Sequence, residues 1–292
     1  MLPTRARSIN LERRHVTIVN ACTQQGRGGS PTAVLIDDDA FDDDARRAVV
    51  RDAGTSHAAF VNADTDTVRF FTTDNELTNC GHGTIAAQAF LLRRRGTASH
   101  HGRQTTGGRT YSTTATQRDH SIEVWFDQGI IELHDGVPTG LDGILAGLGI
   151  EPDAVPADDA PRVASPGTPR LLVPVKTVPI LLSLRPDLSR LAAACRRHGY
   201  LGCFVYTTSP VRDRAVARMF APAIGVGEDI VNANSTGCLA AHLHATRGQS
   251  SIEVEQGHTA ERPCLVFATA TTTTEGISTR VGGTAVIQAG LL

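Results

Sequence analysis

The sequence predicts an α+β protein of two similar lobes, each a mostly antiparallel sheet wrapped around one central helix. Three observations predict it. A glycine-marked turn that runs into a small-residue helix occurs twice, about half of the 292-residue chain apart. The copies read Cys80-Gly81-His82-Gly83-Thr84-Ile85-Ala86-Ala87 and Asn234-Ser235-Thr236-Gly237-Cys238-Leu239-Ala240-Ala241. Each follows a similar apolar stretch, Arg69-Phe70-Phe71 in the first half and Arg218-Met219-Phe220 in the second. Between them, short β-prone runs bounded by turn residues outnumber helical stretches.

Taken in order, His15 to Asn20 alternates as a strand, Gly26 to Pro31 is a turn, and Thr32 to Ile36 is a second strand. Asp42 to Asp52 is a helix whose acidic first turn suits the helix dipole. Ala58 to Asn62 and Thr67 to Thr72 are strands leading to the first Gly-turn helix, Thr84 to Arg95, which Gly96 ends. Thr105 to Thr116 is a hairpin turning at Gly107-Gly108, and Ser121 to Phe126 is a further strand. Leu141 to Leu148 is a helix closed by Gly149, and Asp153 to Pro169, rich in Pro, Ala and Asp, is a surface loop. Leu171 to Val175 and Thr177 to Leu182 read as apolar strands, and Leu188 to His198 as a helix ended by Gly199. Gly202 to Thr207 and Arg214 to Phe220 lead to the second Gly-turn helix, Gly237 to Thr246. Ile252 to Val254, Cys264 to Thr271 and Gly276 to Gln288 complete the strands. The division expected is an N-terminal lobe over 15–130 and a C-terminal lobe over 131–292, with the last strand packing back on the first lobe. Residues 1–14, with four arginines and no apolar run, read as a loose tail and not as a secretory signal.

Composition narrows the function. A net charge of −2 gives no reason to expect nucleic acid or a membrane surface as partner. Six cysteines without a CxxC pair point to a reduced, cytoplasmic protein. The histidines at 100, 101, 242 and 244 lack helical ligand spacing, so no metal is expected from them. Two polar helix N-termini facing each other form a receptor for a small anion, with Gly81, Gly83, Asn234, Ser235, Thr236 and Gly237 as its substrate-binding residues.

Several segments resemble the phenazine-biosynthesis PhzF-like family. Glu76-Leu77-Thr78-Asn79-Cys80-Gly81-His82-Gly83-Thr84 is similar to its ELPxCGHAT motif, and Gly28-Gly29-Ser30-Pro31 to its opening. Gly227-Glu228-Asp229 followed by Gly237-Cys238-Leu239-Ala240-Ala241 resembles its GEDPATGSAxGxLAA motif. Ile252 to Gly257, Arg262-Pro263 and Val281 to Val286 resemble its C-terminal signature. The resemblance implies the diaminopimelate-epimerase fold: two pseudo-symmetric, barrel-like lobes, in a homodimer, with no cofactor. It also implies an isomerase that moves a proton between carbons of a small carboxylate substrate. His82 and Asp229 match two of the family's catalytic positions. The family's glutamate position holds His57, framed by Ser56, Phe60 and Val61, while Ala233 and Asn234 stand where the family has glycine and serine.

Histidine, with an ordinary pKa of about 6.5, takes and returns a proton near neutrality, so His57 is the expected shuttle with His82 and Asp229 assisting. The rival readings are plain: His57 as a structural histidine, Asp229 as a cap, Cys80 as a small buried residue. An amino-acid racemase of this fold uses a thiol from each lobe. Cys80 stands at one such place and Asn232 at the other. A binding protein that kept the fold and lost the reaction is the third reading. The favoured expectation is a cofactor-independent isomerase of a small unsaturated carboxylic or amino acid, in natural-product biosynthesis.

Overall fold

The two small-residue helices pack against different sets of strands, and the last strand touches both. The computed structural model describes residues 15–38, 40–209 and 213–288; the expected tail at 1–14 lies outside them. The elements of the first half are β1 (Thr17–Thr23), β2 (Ser30–Ile36), α1 (Asp43–Asp52), β3 (His57–Asn62), β4 (Thr67–Phe71), β5 (Glu76–Leu77), α2 (Gly81–Arg95), β6 (Ser99–Thr106), β7 (Arg109–Arg118), β8 (Ser121–Ile130) and β9 (Glu132–Leu133). The second half adds α3 (Leu141–Leu148), β10 (Arg162–Ser165), β11 (Arg170–Pro174), α4 (Val178–Ser183), α5 (Leu188–His198), β12 (Cys203–Thr208), β13 (Arg214–Ala221), β14 (Val226–Asp229), α6 (Ala233–Arg247), β15 (Ser251–Gln256), β16 (Cys264–Thr273) and β17 (Gly276–Ile287).

The strands form one continuous network of pairings. From β1 the path runs through β2, β3, β4, β6, β7 and β8 to β17, and β17 pairs with β1 again. A second path runs from β9 through β10, β11, β12, β13, β15 and β16 to the same β17. Most pairs are antiparallel; β2–β3, β4–β6, β11–β12 and β13–β15 are parallel.

Inside the first path lies α2, packed on β1, β2, β3, β7, β8 and β17; α6 packs on β10, β11, β15, β16 and β17. A helix covered on nearly all sides needs small apolar residues, because strands approach its backbone from several directions. Ala86, Ala87 and Ala89 on α2 are fully buried, as is Ala241 on α6. The loop before β2 meets the loop before β16: Gly29 N–H donates to Pro263 O at 3.0 Å, and a Cβ on Gly28 would collide with the Pro263 backbone. Positive φ at both glycines permits that approach.

Three expectations need correction. Thr177 to Leu182 is not a strand, because Thr177 caps the helix α4 through Ile180 N–H and Pro179 sits in its first turn. A short apolar run does not distinguish helix from strand by period alone. The expected loop Asp153–Pro169 contains β10 and also the buried Asp159. That carboxylate accepts from Tyr206 Oη (3.0 Å) and Arg247 Nη2 (2.8 Å), and His242 Nε2 lies 2.8 Å away. Helices α2 and α6 begin at Gly81 and Ala233, earlier than the expected Thr84 and Gly237. The glycines and polar residues read as turns are thus first-turn residues, where the backbone N–H groups have no intrahelical partner and helix propensity matters little. No helix among the described residues is long and apolar enough to cross a membrane.

Candidate active site

The two helix N-termini meet. A Cβ added to Gly81 would lie 2.8 Å from Ala233 Cβ and 3.2 Å from Asn234 N, so only glycine lets α2 start this close to α6. A cavity of about 780 Å³ opens in front of them. His57, His82 and Asp229 all line it, as do Gly81, Asn234 and Arg170.

Two elements supply the histidines. His57 is the first residue of β3, paired in register with Thr32 of β2. His82 lies in the first turn of α2, after Cys80 at the cap position. His57 Nδ1 and His82 Nε2 are 3.1 Å apart, with the rings edge to face. Ser56 Oγ lies 2.9 Å from His57 Nδ1, and Cys80 Sγ lies 3.6 Å from His82 Nε2. The backbone of Val231 accepts a hydrogen bond from the His82 ring. Since Nε2 faces His57, that bond comes from Nδ1 and leaves His82 Nε2 bare. His57 Nδ1–H is then the donor between the rings, and the lone pair of neutral His57 sits on Nε2, which has no protein partner among the described residues.

Burial sets the charge state. It lowers the His57 pKa to about 3, helped by His82 and opposed by Asp229. It lowers His82 to about 4. Burial pushes the Asp229 carboxyl up, against the pull of His57 and hydrogen bonds from Asn232 and the Val231 backbone. The Cys80 thiol is pushed up to about 12, so Cys80 stays protonated near neutrality. At neutral pH the site therefore presents two uncharged imidazoles beside one carboxyl group. His57, Cys80 and His82 also keep one nitrogen or sulfur each within 4.8 Å of one another, which is the spacing of a metal-ligand cluster.

At the other wall, Asn232 caps α6 by accepting from Ser235 N–H at 2.9 Å and donating to Asp229 Oδ2 at 3.0 Å. Gln128 of β8 donates to Asn234 O at 2.9 Å. The anticipated receptor residues separate here. Gly81 and Asn234 face the cavity, whereas Gly83, Ser235, Thr236 and Gly237 are not among its lining residues. Gly83 N–H bonds the Cys80 thiol. Ser235 is fully buried with its hydroxyl on Arg170 Nη1 at 3.2 Å, and Thr236 bonds the Asn232 carbonyl. Gly237 is small because Gln128 Oε1 occupies the space of its Cβ. Beginning the helix at Ala233 turned these side chains away from the opening and into the protein.

Arg170, which sequence reasoning missed, is 4% exposed at the start of β11 and lines the cavity. Its Nη groups donate to two neutral acceptors, Ser235 Oγ and Thr168 O, and its Nε has no partner. Among the described residues no carboxylate pairs with it, and burial lowers its pKa. A polar residue opening an apolar strand, Arg170-Leu171-Leu172-Val173, was the available signal.

Comparison with known proteins gives concordant results. The profile of the phenazine biosynthesis-like protein family, PhzC-PhzF, matches residues 19–290. An uncharacterized isomerase of Escherichia coli K12, YddE, is 28% identical over 233 residues, covering 77% of each chain. The trans-2,3-dihydro-3-hydroxyanthranilate isomerase of Pseudomonas chlororaphis is 29% identical over 276 residues, covering 88% of this chain and 90% of that one. The crystal structure of a PhzF-family protein of Bacillus anthracis superposes with a TM-score of 0.80 at 20% identity, covering 94% and 96% of the two chains.

Proposed function

The chain belongs to the phenazine biosynthesis-like family and is an isomerase, and we propose that it moves a proton, and with it a double bond, within a small unsaturated carboxylic or amino acid. The observation that carries this reading is the pair of neutral, hydrogen-bonded histidines on the wall of one cavity that is also lined by a buried arginine, to which no carboxylate among the described residues is paired. The two strand paths around α2 and α6 are read as two pseudo-symmetric, barrel-like lobes, with this cavity between them. The reading carries with it a homodimer in the cytoplasm, working without a cofactor in a natural-product route.

The steps follow from the residues. The substrate carboxylate enters beside Arg170 and the α6 N-terminus, where a guanidinium and backbone dipoles favour an anion. An anion in the cavity favours protonated imidazole, so substrate binding raises the basicity of His57 from its low resting value. His57 Nε2 takes a proton from the acidic carbon, and the electrons move into the conjugated carboxylate. Asp229 and the bare His82 Nε2 steady the imidazolium. The imidazolium, whose N–H exchanges with solvent, then delivers a proton to a different carbon of the conjugated system, so atoms and electrons balance with no net oxidation.

Two observations weigh against a racemase using thiols from both lobes: Cys80 is held protonated, and the α6 wall offers Asn232, Ala233 and Asn234. The test is deuterium exchange. Small conjugated carboxylates incubated with the protein in D2O acquire carbon-bound deuterium, read by NMR, and His57→Ala slows this by about 10²–10⁴-fold. No incorporation across a broad carboxylate panel, or an unimpaired His57→Ala protein, removes the proton-shuttle assignment.

A further inference from the structure

We infer that His57, Cys80 and His82 form a preorganised binding site for one soft divalent transition-metal ion of the zinc class, and that this ion shuts the enzyme off. Zinc holds imidazole nitrogens at about 2.0–2.1 Å and a thiolate at about 2.3 Å, so a tetrahedral ion spaces two nitrogens about 3.3 Å and nitrogen and sulfur about 3.6 Å apart. The corresponding distances here are 3.1 Å for His57 Nδ1 to His82 Nε2 and 3.6 Å for Cys80 Sγ to His82 Nε2. All three donor atoms lie within 4.8 Å of one another. Small outward movements of donors that already face one another admit the ion.

The surroundings fit a metal site as well. The Val231 carbonyl bonds the far nitrogen of His82, the arrangement that fixes the tautomer of metal-ligating histidines. Cys80 sits at the cap position of α2 and His82 two residues on, so the ring and the sulfur converge from one rigid turn. His57 comes from β3 on the opposite side, which spreads the three ligands around a centre. The residues line the cavity, leaving the fourth coordination position accessible to water or a carboxylate. Two imidazoles and one thiolate suit zinc or copper better than calcium or magnesium.

The inhibition rests on the proton-shuttle reading, whereas the binding does not. An ion on His57 Nδ1 displaces the hydrogen bonds to Ser56 and His82 and forces the remaining proton onto Nε2. The lone pair that would take the substrate proton is then gone.

Cobalt(II) titration of the full chain, with no substrate present, tests the site. The expected result is saturable uptake of one ion per chain at micromolar metal, with a thiolate-to-cobalt charge-transfer band and the strong visible absorption of a four-coordinate ion. Zinc discharges the colour. Cys80→Ser loses the charge-transfer band and binds about a hundredfold more weakly or worse, and His57→Gln weakens binding to a similar degree. Thermal melts confirm that both variants fold, and each tests the site by itself. Absence of saturable binding, or variants whose spectra and affinities match the parent's, overturns the inference and leaves the deuterium-exchange test untouched. Metal binding without any exchange activity overturns the shuttle reading and its inhibition alone.

Discussion

Replacing Arg170 by methionine keeps much of the side-chain volume and removes the charge, so folding and binding should respond differently. In the folded protein the guanidinium is 4% exposed and has two neutral acceptors, while its Nε is left without a partner. Hydrogen bonds from a charged donor contribute about 1.5–3 kcal/mol each, against several kcal/mol to desolvate an ion. Arg170→Met is therefore expected to leave the ligand-free protein as stable as the parent or to stabilise it by up to about 4 kcal/mol, the upper end for buried ion pairs replaced by apolar groups. That corresponds to about 2–4 °C in Tm per kcal/mol for a chain of this size. Carboxylate binding should suffer instead. Losing a charge-assisted hydrogen bond of about 1.5–3 kcal/mol weakens it by about 10- to 150-fold. Thermal melts of both proteins, with and without sorbate or anthranilate as flat conjugated carboxylates, read the two effects together. A variant that melts lower than the parent yet keeps its full carboxylate-induced shift would show that Arg170 is a structural strut and would refute the reasoning.

Two further perturbations probe the walls of the site. His57 and His82 are lowered to about 3 and about 4 from an ordinary 6.5, so the unfolded chain binds more protons than the folded one between those values. Their stabilising effect is fully present above about pH 6.5 and is lost as the pH falls toward about 4; Asp229, whose carboxyl is raised, acts in the opposite sense. Denaturant unfolding at stepped pH should show proton uptake approaching two from this pair near pH 5, and stability unchanged between pH 7 and 5 contradicts it. Gly237→Ala puts a methyl group where Gln128 Oε1 lies, at an expected loss of about 1–3 kcal/mol from overpacking. An unaltered urea midpoint would show that Gln128 moves aside freely.

The sequence made the plan of the fold readable because its strongest signals are local. Glycines at Gly96, Gly149 and Gly199 end helices as expected, each with left-handed backbone. Gly107-Gly108 turns a hairpin whose strands run longer than the pattern suggested. What escaped depends on distant partners. The helix at Val178–Ser183 is decided by the cap at Thr177, and β10 exists because β9 and β11 flank it. At the site, the pairing of His57 with His82 spans β3 and α2 and is invisible to spacing. Arg170 went unnoticed because an arginine before an apolar strand ordinarily reads as a surface charge. Only the packing of β11 against α6 buries it.

The two Gly-marked helix starts are alike in backbone and unlike in chemistry, and that difference bears on the type of reaction. Inverting a carbon centre requires a proton donor and a proton acceptor on opposite faces, one from each helix start. Here α2 brings His82 beside His57, whereas α6 is capped by Asn232 and offers the neutral Asn234, with the buried cation Arg170 behind it. In the proposed reading, a base and an anion receptor lining the same cavity hold the substrate by its carboxylate and expose its carbon chain to a single proton carrier. Such a carrier can lift a proton and set it down farther along a conjugated chain on the same face. Among the described residues the start of α6 offers Asn232, Ala233 and Asn234, none of which can complete an inversion as a second proton carrier. Asp229 joins the halves of this arrangement, because its carboxyl accepts from Asn232 of the α6 cap while its charge acts on His57. The asymmetry between the helix starts thus favours double-bond migration over racemisation.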